Sequence, residues 1–191
     1  MPLEVEIKFL VADLKTLERK LRAAGFRRVT PRTPERNTLY DLPGIPLRKR
    51  GELLRVRRYG KTWTLTHKAA ARSGRHKSRT ETETVVRDGA RLDGILRALG
   101  FQPTFRYEKF RSQWNDGHGH VLLDETPIGN VAEIEGAPRW IDRTAKKLGT
   151  ISLKSTLPDN LGSAPSRTLP NSLPPNSTSS HPPPPGNSRK F

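Results

Sequence analysis

Three pairs of glutamates recur at one spacing in this chain: Glu4 and Glu6, Glu81 and Glu83, Glu133 and Glu135. Each pair sits in a run that alternates polar and apolar residues, "LEVEIKF" being the first. In a strand such residues share a face, about 7 Å apart at ~3.3 Å rise per residue. Carboxylates that close repel unless a cation lies between them, and a hard divalent ion such as Mg²⁺ prefers carboxylate oxygen. Other strands carry the opposite sign. "LLRVRRY" aligns Arg55 with Arg57, "YEKFRSQW" aligns Lys109 with Arg111, and Lys8, Lys68 and Arg79 sit singly on polar faces. Paired guanidinium groups match phosphate. "VLLDETPIG" adds Asp124. Acids for metal and bases for phosphate make the constellation of a metal–nucleoside triphosphate or polyphosphate site, held inside a closed sheet whose inner face is polar.

Any one of these strands has a plainer reading, an amphipathic strand whose charged side faces water. The series weighs against it. Solvated faces mix Thr, Ser, Gln, Lys and Glu, whereas here strand after strand presents a pair of a single sign.

The elements that must position these residues repeat. Residues 4–26, "EVEIKFLVADLKTLERKLRAAGF", align with 81–101, "ETETVVRDGARLDGILRALGF". Each unit is a Glu-x-Glu strand followed by a helix with apolar spacing, Leu14, Leu17 and Leu21 in one and Leu92, Ile95, Leu96 and Leu99 in the other. Asp13 and Asp88 stand where caps belong, and Gly25-Phe26 and Gly100-Phe101 end the helices. A third copy follows, "EIEG" at 133–136 and then "RWIDRTAKKLG". The spacers "PGIPLRKRGE", "SGRHKS", "NDGHGH" and "PIGN" separate further alternating strands. The expected class is α+β: roughly eight antiparallel strands with about three helices.

The formal charge is +16 over 191 residues, which points to an anionic partner. Nine of the 17 prolines lie in 150–191, where apolar periodicity stops; this segment is expected to be a disordered Pro/Ser-rich tail after a folded domain at 1–149. The domain holds 31 basic and 18 acidic residues, so the surplus is mainly its own. There is no cysteine, which removes disulfides and thiolate chemistry and fits a cytoplasmic location. No apolar run approaches the ~20 residues of a bilayer span, and no signal peptide is expected.

Other chemistries lack their residues. Neither G-x-x-x-x-G-K-[ST] nor G-x-G-x-x-G occurs, and no Ser-His triad is visible. His118 and His120 read as part of a mobile hairpin turn. The basics of "LRKRGELLRVRRYGK" alternate with Leu and Val, so they belong to a strand face and not to a nucleic-acid arm. "ARSGRHKSR" (71–79) reads as a loop serving as a substrate lid or a non-specific anion contact.

Glu4-x-Glu6-x-Lys8 resembles the ExExK signature of the CYTH family, the triphosphate tunnel metalloenzymes, which include class IV adenylyl cyclases and thiamine triphosphatases. "RNTLYD", "LLRVRR", "TLTHK", "RTETE", "YEKFR" and "LDETPIGNVAEIEG" follow in the family's order across 3–149, closest to the bacterial class IV adenylyl cyclase-like branch. The resemblance implies an eight-stranded antiparallel tunnel. In it Lys8, Arg55, Arg57, Lys68, Arg79, Lys109 and Arg111 hold a triphosphate. Mg²⁺ or Mn²⁺ is held by Glu4, Glu6, Asp124, Glu133 and Glu135, with Glu81 and Glu83 nearby. Glu4, Glu6, Lys8, Glu133 and Glu135 form the catalytic group. Expected partners are a nucleoside triphosphate or polyphosphate and a second copy of the chain, with no specific nucleic acid and no membrane. Family members usually continue past the third helix with a Ser-Tyr segment and a final helix; here "KKLG" runs into the tail, a departure that bears on tunnel closure.

Three activities fit these residues. One is cyclisation of ATP to cyclic AMP and pyrophosphate. The second is hydrolysis of the terminal phosphate of tripolyphosphate or thiamine triphosphate. The third, binding of polyphosphate or RNA without catalysis, leaves the paired carboxylates without a role.

Overall fold

The computed structural model describes residues 3–72 and 74–149. The expected tail at 150–191 lies outside the described residues. Eight strands and four helices follow one another as β1 (Leu3–Val11), α1 (Leu14–Ala23), β2 (Arg27–Asp41), α2 (Pro46–Lys49), β3 (Leu53–Tyr59), β4 (Thr62–Lys68), β5 (Lys77–Val86), α3 (Gly89–Ala98), β6 (Gln102–Asn115), β7 (Gly119–Thr126), β8 (Gly129–Gly136) and α4 (Pro138–Leu148). The strands close into a barrel in the order β1-β5-β4-β3-β2-β6-β7-β8, antiparallel throughout. Closure needs nothing beyond the described residues, because β1 pairs with both β5 and β8. None of the described helices is long and apolar enough to cross a membrane.

Most apolar residues of the strands point away from the barrel axis. One core packs α1 and α4 on the outer faces of β1, β6, β7 and β8 through Leu17, Leu21, Trp140, Ile141 and Leu148 against Phe9, Trp114, Val121 and Ile134. A smaller core packs Leu96 of α3 on Tyr40 and Val56, with Leu54, Trp63 and Leu65 at its edge. The inner face is thereby left mostly to polar residues, with Leu122 opposite Glu133 and Val131 opposite Asp124 among the apolar ones. Asp13 and Asp88 cap α1 and α3, each accepting bonds from two backbone N–H groups of the first turn.

Four sequence readings change. The spacer "PGIPLRKRGE" contains α2, whose first turn is held by Asp41 accepting from the N–H groups of Leu47 (3.1 Å) and Arg48 (3.0 Å). Of the apolar stripe of α3 only Leu96 is buried; Ile95 and Leu99 are 57% and 66% exposed, because that helix lies on one small core and has no second helix beside it. "NDGHGH" gives its last two residues to β7, so the turn is Asp116–Gly117–His118. The loop at 71–79 gives Lys77, Ser78 and Arg79 to β5.

Gly119 and Gly136 face each other across β7 and β8, and the Trp140 ring lies on both. A Cβ on Gly119 would stand 2.5 Å from that ring and 2.8 Å from the backbone oxygen of Glu135. Gly119→Ala is expected to lower the unfolding free energy by about 1–3 kcal/mol, measured by urea denaturation. Gly94, inside α3 with nothing within 4 Å of its Cβ, gives the opposite result. Gly94→Ala is expected to add about 0.5–1 kcal/mol.

Candidate active site

The registers place every residue singled out above on the inner wall. Glu4 stands opposite Arg79, Lys8 opposite Glu133, Lys68 opposite Glu81, Arg111 opposite Asp124, and Glu6 opposite Glu135. Arg55 and Arg57 share the inward face of β3, and Glu83 faces them across Thr66 of β4. Side chains directly opposite project to the same face, so one register brings the set together.

Ion pairs run across the tunnel and link to one another, Arg55 approaching both Glu81 (3.9 Å) and Glu83 (3.8 Å). Lys68 lies 2.7 Å from Glu4 and 2.5 Å from Glu81, and Arg79 3.2 Å from Glu4. Lys8 bridges Glu133 (2.8 Å) and Glu6 (3.1 Å). Arg111 donates twice to Asp124, at 2.6 Å each, and approaches Glu133 at 3.1 Å. Arg57 donates to both oxygens of Glu83 at 3.0 Å, and the Thr66 hydroxyl donates to the same carboxylate at 2.6 Å.

These pairings set the protonation of the wall. Burial alone would raise Glu4, but Lys68 and then Arg79 outweigh it and hold it at about 2. Glu133 is held well below the usual carboxylate range, since Arg111, Lys8 and Lys109 overcome its burial. Burial raises Glu81, and Lys68 only partly offsets that. Glu135 goes furthest the other way, to about 7, through burial and then the charges of Glu4, Glu6 and Glu133. Lys8 and Arg111 are both raised, because nearby carboxylates exceed the cost of burial.

The wall also contains residues that alternation did not reveal. Glu35 is fully buried, 3.5 Å from Lys109 and 3.7 Å from Arg111, and accepts from the Asn37 amide at 2.9 Å. Its signal, Glu35-x-Asn37, is hidden by Pro31 and Pro34, which interrupt a strand reading, and β2 absorbs them with register shifts near Thr30 and Thr33. Lys77 is opposite Glu6. His120 is opposite Glu135 and hydrogen-bonds through Nδ1 to Gln113 at 2.8 Å, so it lines one end of the tunnel. At the other end Leu39, Leu53, Phe105 and Tyr107 follow the inward faces of their strands, with the Phe105 and Tyr107 rings 5.9 Å apart.

The chain matches the CYTH domain over residues 2–144. It belongs to the CYTH family. No curated protein matches it. Among solved CYTH-like folds it is similar to a candidate adenylate cyclase of Vibrio parahaemolyticus, with 19% identity and TM-score 0.68 over 77% of this chain and 88% of that one. It is similar to a protein of Pyrococcus horikoshii at 23% identity and TM-score 0.67, covering 80% and 92%. A candidate adenylyl cyclase of Hippeastrum, described as having a dominant triphosphatase activity, aligns at 18% identity and TM-score 0.55, covering 77% and 88%. At these identities the likeness shows the CYTH fold alone.

Glu35 is held at about 2: Arg111, Lys109 and the Asn37 amide outweigh its burial. Its contribution to stability is therefore present above pH ~4.5 and lost as pH falls toward 2. Glu35→Gln is expected to cost on the order of 3 kcal/mol at pH 7, and less with each step toward pH 3. Urea midpoints of both proteins across that range check this; parallel curves would remove Glu35 from the charge network.

Proposed function

We propose that the tunnel binds a nucleoside triphosphate with Mg²⁺ or Mn²⁺ and cyclises ATP to cyclic AMP and pyrophosphate. The carrying observation is a closed wall on which Arg55, Arg57, Lys68, Lys109 and Arg111 converge beside an inward lip of Leu39, Leu53, Phe105 and Tyr107. The bases suit three phosphates, and the apolar lip suits a purine.

The acids fit a hard cation by their chemistry. Glu6 and Glu135 are directly opposed, Glu4 and Glu133 lie close enough to help raise Glu135, and Glu6 Oε1 is buried without a hydrogen-bond partner among the described residues. No three of the described His, Asp or Glu side chains already form a metal cage, because Glu4 and Glu133 are engaged by bases. Phosphate oxygens binding Lys68 and Lys8 would release those carboxylates. A bound divalent ion would supply Lewis acidity at the phosphates and acidify the ribose 3′-hydroxyl. The wall orients the triphosphate so that the 3′-oxygen bonds to the α-phosphorus while the bond to the β-phosphate oxygen breaks. Arg57, Lys109 and Arg111 hold the charge gathering on pyrophosphate, and the hydroxyl proton leaves to solvent.

The second reading, hydrolysis of a terminal phosphate, uses the same cradle, with water as nucleophile. It is favoured by the density of charge deeper in the tunnel, which asks nothing of a base or ribose. Incubation with ATP, tripolyphosphate or thiamine triphosphate, each with Mg²⁺ or Mn²⁺, separates the two. Cyclic AMP with pyrophosphate is the expected product, and orthophosphate from tripolyphosphate alone would replace this reading with the second.

Glu133→Gln is expected to abolish metal-dependent turnover with the circular dichroism spectrum unchanged. Arg57→Ala is expected to weaken triphosphate binding by about 1.5–3 kcal/mol, read by calorimetry. Phe105→Ala is expected to raise KM for ATP several-fold while leaving tripolyphosphate affinity unchanged; equal loss for both ligands would remove the lip from base recognition.

A further inference from the structure

The excess positive charge of the folded part lies outside the tunnel. Glu4, Glu6, Glu35, Glu81, Glu83, Asp124, Glu133 and Glu135 are matched in number by Lys8, Arg55, Arg57, Lys68, Lys77, Arg79, Lys109 and Arg111 on the same inner face. Of the 31 basic and 18 acidic residues in 1–149, 23 and 10 therefore remain for the exterior. A triphosphate site does not explain a surplus of +13 on the outer surface.

Much of that surplus gathers on one face. Along α4, Arg139, Arg143 and Lys146 are exposed and have no ion-pair partner among the described residues. The one acid of this helix, Asp142, is taken by His76 (2.9 Å) and Arg75 (3.2 Å). The C-terminal ends of α1 and α4 meet, with Lys20 donating to the Leu148 carbonyl (2.9 Å) and Lys147 to the Ala24 carbonyl (2.8 Å), so cations already cover both negative helix ends. Arg22, which pairs with Glu18 at 3.0 Å, and Arg27 and Arg28 continue the face, Arg22 and Arg28 lying over the ring of buried Trp114 at 5.0 and 5.9 Å.

We propose that this face, formed by α4, the end of α1 and the start of β2, binds the phosphate backbone of double-stranded nucleic acid without sequence preference. Arg139, Arg143 and Lys146 are spaced four and three residues apart, so at ~1.5 Å rise per residue the basic row spans roughly 10 Å against a duplex carrying a charge every ~1.7 Å. A bilayer fits less well: the apolar residues Trp140, Ile141, Ala145 and Leu148 are all buried, leaving α4 nothing to insert. A single strand fits less well too, because Trp114 and Trp140 are buried and this face has no exposed ring for base stacking among the described residues. The proposal stands independently of the reaction in the tunnel.

The test is fluorescence anisotropy with the full chain and two unrelated labelled duplexes of about 20 base pairs, between roughly 50 and 200 mM salt. Both duplexes are expected to bind within about twofold of each other, with a log–log salt slope near −4 for four to five phosphate contacts. Arg139→Glu, Arg143→Glu and Lys146→Glu together are expected to weaken binding at least ~30-fold and flatten the slope by about 3. The same three positions changed to Gln, less exposed to folding defects, are expected to fall between, with the melting temperature of each variant measured alongside. Arg57→Ala with Lys109→Ala, inside the tunnel, is expected to leave duplex affinity unchanged. The proposal is overturned if the exterior variants bind like wild type, if the tunnel variant loses the duplex, or if a single strand of equal length binds more tightly. It is equally overturned if phosphatidylserine vesicles bind where duplex does not.

Discussion

Sixteen ionisable side chains line the inner face of one closed wall, most of them buried or half-buried, and the rest of the structure answers to that constraint. Burying a charge without a partner costs several kcal/mol, and even a well-made buried pair contributes little net stability. The interior therefore cannot hold the barrel together. That task falls to the outer faces, where α1 and α4 cover one arc of strands and α3 covers another. The usual arrangement of a small barrel is inverted, with the apolar side outside under helices and the polar side inside. Alternation along each strand makes both faces at once, so the residues that fold the protein and those that do chemistry are interleaved one by one.

Charge neutrality inside the wall shapes ligand binding. Each basic group that would meet phosphate now meets carboxylate, as Arg111 does with Asp124 and Lys68 with Glu4. An anion entering alone would strand the carboxylates it displaces, and a cation entering alone would strand the bases. Entering together, they exchange one set of pairs for two, and the wall stays neutral. The raised carboxyl of Glu135 marks where this balance is poorest and where a cation would gain most.

The inner wall was legible from sequence because its strands are regular. In β1, β3, β5 and β8 a strict period of two carries single-sign pairs, and no bulge interrupts β1 from Glu4 to Lys8 or β3 from Arg55 to Arg57. Where the backbone is irregular, the pattern is lost. Glu35 follows two prolines and two register shifts, and its place on the wall is fixed by β6 across from it and not by its own neighbours. Helix burial was only half legible for a related reason. Leu21 and Ile95 occupy similar apolar stripes, yet Leu21 is buried by α4 against α1 while Ile95 has no second helix to meet. That difference arises from tertiary packing, which spacing within one helix does not encode.

The net charge was legible as a number but not as a location. Read along the chain, a basic surplus and a set of inward-facing bases suggest one cause, an anion in the tunnel. The registers separate them, since every inward base is answered by an inward acid while the acids of the exterior are mostly committed as caps or to neighbouring bases, Asp88 in α3 and Asp142 in α4 among them. A solvated surface gains nothing in stability from such a surplus, because its like charges repel. The described residues thus carry two electrostatic designs on the two sides of one wall: an interior whose bases and acids are matched in number, and an exterior with a basic surplus.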